Sequence, residues 1–152
     1  MGWAGSYTID NLLDDALKEK IRPPEDWSVY LVSREKWKKE PTAKCMPLYV
    51  GSTTGKSGRF RTRIGDLIAD LFGFFNEETG HHSGGQTLYD YCQKNQIDPK
   101  NLYIGWLEKC ECSRCEENRW FDAFGPFVLL NKKRPTRCKK KHKNKYRPVT
   151  SQ

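Results

Sequence analysis

The chain has 152 residues, the length of one ordinary domain, so its function has to fit around a single core. Hydrophobic residues make up 36%, charged residues 30% and aromatic residues 12%, too aromatic for a disordered chain and too polar for a membrane protein. The net charge of +8 is concentrated: ten cations and no acid lie between Lys132 and Arg147, leaving seventeen cations against nineteen acids in residues 1–131. No apolar run reaches the roughly 20 residues of a spanning helix, and Asp10, Asp14 and Asp15 stand where a secretory leader would be apolar. An intracellular protein without a membrane partner is expected. Its six cysteines then read as free thiols or metal ligands rather than as a disulfide framework.

In chain order, Asp10 or Asn11 can cap a first helix carrying Leu12, Leu13, Ala16, Leu17 and Ile21 at helical spacing, stopped by Arg22-Pro23-Pro24. Trp27–Ser33 and Leu48–Ser52 are short runs rich in β-branched and aromatic residues and read as strands. The charged stretch Arg34–Lys44 between them suits a solvent-exposed hairpin connection. After a Gly-rich loop, Phe60, Ile64, Leu67, Ile68, Leu71, Phe72 and Phe75 recur with the period of a helix that packs one face on a sheet. The loop itself, Gly51-Ser-Thr-Thr-Gly55-Lys56-Ser57, has one residue too few between its glycines for a phosphate-binding P-loop. A segment holding His81 and His82 leads to a helix from Thr87 to about Asn95, then a strand Leu102–Glu108, then a helix Glu116–Phe124 closed by Gly125 and Pro126. The order αββααβα predicts a small α+β domain with a three-stranded antiparallel sheet flanked by helices. It divides the chain into an N-terminal helical extension (1–27), a central domain (28–131) and a basic tail (132–152).

Within the central part, Ser28-Val29-Tyr30 and Leu48-Tyr49-Val50-Gly51 lie on the first two strands, Arg63 follows in Phe60-Arg61-Thr62-Arg63-Ile64, and Glu117 precedes Pro126 by nine residues with Asn131 just beyond. This order of parts resembles the GIY-YIG nuclease family over residues 28–131. Ser28 stands where that family has its first Gly. Leu67 stands where a His often follows the Arg, so His81 or His82 is the candidate replacement. The resemblance implies a metal-dependent endonuclease that cuts DNA. Tyr30, hydrogen-bonded to Tyr49, would take a proton from the attacking water, Arg63 would hold the phosphate, and Glu117 would bind Mg²⁺ or Mn²⁺, with His81 and Asn131 completing the site. A phenol of ordinary pKa near 10 is a poor base at neutral pH, so the surroundings of Tyr30 are expected to favour its phenolate. Arg61 competes with Arg63, and Glu116 with Glu117, because helical phase prefers the second of each pair only weakly. A small restriction-type or structure-specific enzyme is the expectation, and one site per chain means that double-strand cutting needs a dimer or two successive nicks.

Two further features stand apart from that resemblance. Cys110, Cys112 and Cys115 fall within six residues at a strand-to-helix junction and could hold a structural Zn²⁺, with the fourth ligand from Cys138, His142, His81 or His82. The tail, including Lys132, Lys133, Arg134, Arg137, Lys139, Lys140 and Lys141, has almost nothing apolar. It is expected to form an unpacked, extended arm that binds nucleic-acid phosphates together with Arg61. A non-catalytic nucleic-acid-binding module, zinc-stapled, is the main alternative in function, and a protein-interaction domain with an incidental basic tail is a third.

Overall fold

Trp3–Thr8 forms a first strand, β1, which passes directly into helix α1, Ile9–Leu17, in a computed structural model that describes residues 2–17, 21–54, 59–74, 83–125, 128–140, 142 and 149, with backbone only for 15–17. Strands β2 (Ser28–Ser33) and β3 (Pro47–Thr53) follow, then helices α2 (Arg59–Leu71) and α3 (Ser83–Asn95), strand β4 (Tyr103–Leu107) and helix α4 (Ser113–Phe124). The strands form one antiparallel sheet in the order β1-β4-β2-β3. The general α+β class is as expected, but the sheet has four strands rather than three. The segment 1–27, expected to be helical, supplies the extra one. Gly5, Ala4 and Ser6 dilute its β pattern, and the register shifts between Ala4 and Tyr7, so alternation does not mark it. The α1 cap is Thr8, whose hydroxyl accepts from the Asn11 amide at 3.0 Å, in place of Asp10 or Asn11.

Helices cover both faces of the sheet. Tyr30, Val32, Leu48, Ile104 and Trp106 meet Ile9, Phe60, Ile64, Leu67, Leu71 and Leu88 from α1, α2 and α3. On the other face Val29, Leu31 and Val50 meet Trp120, Phe121 and Phe124 of α4, with Trp3 edge-on to Trp37 and Trp120. Every residue of β2 is buried, as suits a central strand packed on both sides. The connection 34–44 is less solvent-exposed than its charge suggests, because Trp37 is buried and its backbone N–H donates to Ser6 Oγ at 2.9 Å.

The third helix begins at Ser83, four residues earlier than expected. Gly84 and Gly85 look like loop residues in sequence, yet each sits where another element presses in. A Cβ on Gly84 would collide with the Tyr49 ring, and one on Gly85 would lie 2.6 Å from Asp70 Cβ.

The tail departs most from expectation. Its described stretch, 132–140, is not an unpacked arm: together with 128–131 it runs as a strap along α4 and the outer edge of β3, while 141, 143–148 and 150–152 lie outside the described residues. Leu129 is buried, the Leu130 amide donates to Leu48 O at 2.7 Å, and Asn118 Nδ2 donates to Thr136 O at 2.9 Å. Arg134 pairs with Asp122 at 2.6 Å and lies over the Phe121 ring. The backbone is docked while Lys132, Lys133, Arg137, Lys139 and Lys140 remain exposed. Lys141 lies outside the described residues.

Candidate active site and metal cluster

Tyr30 and Tyr49 come from neighbouring strands and their rings stack with centroids 6.2 Å apart. Tyr30 is buried and also packs against Phe60 of α2 at 6.1 Å. Directly opposite it in the β2–β3 register is Gly51, and the Tyr30 hydroxyl lies over that glycine in space a side chain would fill. Tyr49 is hydrogen-bonded by the Ser83 side chain at the start of α3. Arg63, partly buried on α2, lies within electrostatic reach of both phenols, and so does Glu117 on the second turn of α4. Glu117 Oε1 accepts from Ser52 Oγ at 2.6 Å, which fixes the carboxylate to the end of β3. Four residues separated by as many as 87 positions in sequence thus meet at one place.

The electrostatics of this place are dominated by burial. Desolvation, then the charges of Tyr49 and Glu117, raise the Tyr30 pKa well above 10, and Arg63 pulls in the other direction without prevailing. The expected phenolate-favouring environment is therefore corrected: these side chains alone favour the phenol. Burial likewise raises Tyr49 and Glu117. The Ser52 hydrogen bond and Arg114 partly offset it at Glu117.

The two pairs of competing residues separate cleanly. Arg61 spends its guanidinium on Pro23 O, at 3.0 and 2.8 Å, and on Glu25 at 3.1 Å, so it anchors residues 23–25 instead of facing a phosphate site. Glu116 accepts from Trp120 Nε1 at 3.2 Å and pairs with Arg119. Asn131, expected in the catalytic set, bonds the backbone of Val50 from both ends of its amide, accepting at 3.1 Å and donating at 2.8 Å. It extends the pairing along the β3 edge and positions the strand between Tyr49 and Gly51. His81 and His82 lie outside the described residues. Ser52, Ser83 and Gly84 are the site's unforeseen contributors: no motif letter marks them, and only the meeting of elements gives them a role.

A second constellation lies one turn away on α4. Cys112, Cys115, Cys138 and His142 present ligand atoms all within 4.8 Å of one another and could hold a metal such as zinc. The Cys112 and Cys138 sulfurs are 3.6 Å apart, and Cys138 Sγ is 3.4 Å from His142 Nε2. Without an ion His142 holds the Cys138 thiol down to about 6, whereas burial and the neighbouring thiols push Cys115 up to about 12. Cys110, expected among the ligands, is excluded. Its carbonyl accepts from Trp27 Nε1 at 2.6 Å, its side chain packs against the α4-face core, and burial first, then Glu116, drives its thiol to about 12. Two residues before Cys112, which is the N-cap of α4, it still belongs to the connection from β4 and not to the helix.

No helix among the described residues is long and apolar enough to cross a membrane. Comparison with protein-family models, curated proteins and solved structures finds no match to this chain.

Proposed function

We propose that the protein is a metal-dependent endonuclease of the GIY-YIG type that hydrolyses phosphodiester bonds in DNA. The observation carrying this reading is the convergence of Tyr30, Tyr49, Arg63 and Glu117, from β2, β3, α2 and α4, into one electrostatically coupled group. Phosphodiester hydrolysis requires a proton acceptor for the attacking water and positive charge on the phosphoryl oxygens as the transition state forms. Arg63 is the cation of the group, and its planar fork matches a phosphate. Tyr30 would accept the water's proton as its phenolate, the form a bound cation would favour, with its oxygen held in one position by Phe60, Tyr49 and the bare face of Gly51.

Glu117 fits a hard divalent cation. It is a partly desolvated carboxylate whose one hydrogen bond among the described residues comes from Ser52, leaving lone pairs free. A single carboxylate suits Mg²⁺ or Mn²⁺ that keeps most of its waters. Such an ion supplies the positive charge that Arg63 alone does not, both to the phosphate and against the burial cost at Tyr30. The exposed cations of the 132–140 strap supply sequence-independent affinity for the DNA backbone.

The direct test is incubation of supercoiled plasmid with the protein and Mg²⁺ or Mn²⁺, and a parallel reaction with EDTA. Nicking that EDTA abolishes is the expected result. Binding without cleavage of plasmid, branched DNA or RNA would overturn the enzymatic reading and leave a nucleic-acid-binding module in its place.

A further inference from the structure

We infer that Cys112, Cys115, Cys138 and His142 form a structural zinc site whose role is to staple the basic strap to the first turn of α4. The site does not depend on the nuclease reading. Zn²⁺ bound tetrahedrally, with Zn–S about 2.3 Å and Zn–N about 2.0–2.1 Å, requires S···S edges of about 3.8 Å and S···N edges of about 3.5 Å. The observed separations are 3.6 Å for Cys112–Cys138 and 3.4 Å for Cys138–His142, within about 0.2 Å of those edges. The remaining pairs lie no further apart than 4.8 Å, so rotating side chains by about an ångström closes the tetrahedron. Three thiolates and one imidazole are a soft donor set that selects zinc over Mg²⁺ or Ca²⁺.

Cys112 is the N-cap of α4 but makes no side-chain capping bond, and Cys115 stands three residues on, so their side chains face the same way. Cys138 and His142 bring the strap to them. On binding, the thiols release their protons and the four ligands become one cross-link over 23 to 30 residues of chain. The strap's other ties described above, the burial of Leu129, the bonds of Leu130 and Asn131 to β3, the Arg134 contacts with Asp122 and Phe121 and the Asn118–Thr136 bond, all lie at or before Thr136. The metal is therefore what fixes Lys139 and Lys140 on the rim of a cleft shared with Trp27, Thr54, Cys112 and Arg114. Thr54 follows directly on β3, two residues from the Ser52 that holds Glu117, so the staple sets both the carboxylate-bearing turn and the nearest cations.

The test uses the full chain purified under reducing conditions. Atomic emission after dialysis should give about one zinc per chain, retained in Cys110→Ser and lost in Cys138→Ser. His142→Ala should weaken zinc retention against a chelator by at least about tenfold. Replacing zinc by Co²⁺ in the wild-type chain should give the intense visible absorption of a tetrahedral thiolate site. Trypsin should cut the 132–140 strap slowly in the zinc form and at least about tenfold faster after chelation. Less than a tenth of an equivalent of zinc, equal retention in wild type and Cys138→Ser, an octahedral cobalt spectrum, or strap cleavage indifferent to chelator would each overturn the proposal. So would a wild-type mass two hydrogens light under reducing conditions, which means a Cys112–Cys138 disulfide instead.

Discussion

Gly51 links the strand pattern to the candidate chemistry. It faces Tyr30 across the β2–β3 pair, and its missing side chain is the space the Tyr30 ring and hydroxyl occupy. Gly51→Ala therefore acts through packing and not through backbone strain. It should cost about 1–3 kcal/mol in urea denaturation, the usual penalty for overfilling a core, and displace Tyr30 enough to abolish nicking while the fold persists. Undiminished nicking would mean that the position of Tyr30 does not matter. The tyrosines, this glycine, Arg63 and Glu117 were singled out in the sequence because their spacing resembles a family's order of parts, and the structure brings Tyr49, Arg63 and Glu117 within electrostatic reach of Tyr30. The choice between Arg61 and Arg63 was legible only weakly, since the two flank the Phe60 and Ile64 face of the helix on opposite sides and nothing in the sequence says which side meets Pro23 and Glu25. The burial of Tyr30 was not legible: it depends on Phe60 and Tyr49 arriving together and reverses the expected shift of its proton affinity.

Among the elements, β1 and the strap were the least legible, for opposite reasons. The strand has weak propensity and is held by tertiary contacts: Trp3 lies edge-on to Trp37 at 6.1 Å and to Trp120 at 5.0 Å, joining the 34–44 connection to α4. Trp3→Ala should lower stability by about 3–5 kcal/mol in thermal or denaturant unfolding, as for other buried Trp truncations. A cost below about 1 kcal/mol would show that β1 is a dispensable addition to a three-stranded sheet. The strap, by contrast, is too charged to suggest packing, and its docking comes from a few residues spaced among the cations: Leu129, Asn131, Thr136 and Cys138. Neutralising Lys132, Lys133, Lys139 and Lys140 to Gln keeps that docking and removes exposed charge. The salt dependence of DNA binding should then flatten by about 0.9 in log–log slope for each phosphate no longer neutralised. An unchanged slope would place the DNA elsewhere on the molecule. Strong periodicity, by comparison, made α2 readable to within a residue at its start.

At the scale of the whole molecule, the sheet separates two apolar cores, and the elements that carry the candidate site come from both sides of it. Tyr30 and Arg63 belong with the α2–α3 face, whereas Glu117 arrives from α4 on the other face and is tied to β3 through Ser52. Such an arrangement is invisible to composition: the +8 net charge comes from the basic tail, residues 132–152, while residues 1–131 carry seventeen cations and nineteen acids. In the proposed function, charge accounts for holding a polyanion, and hydrolysis would depend on the group of four. The most direct measurement is single-turnover nicking of supercoiled plasmid in Mg²⁺ by wild type, Arg63→Ala, Glu117→Ala and Arg61→Ala, with equal DNA binding verified for each. Loss of at least about 10²-fold in rate for Arg63→Ala and Glu117→Ala, with Arg61→Ala close to wild type, is the predicted result. Wild-type nicking that Arg63→Ala and Glu117→Ala both retain would contradict it.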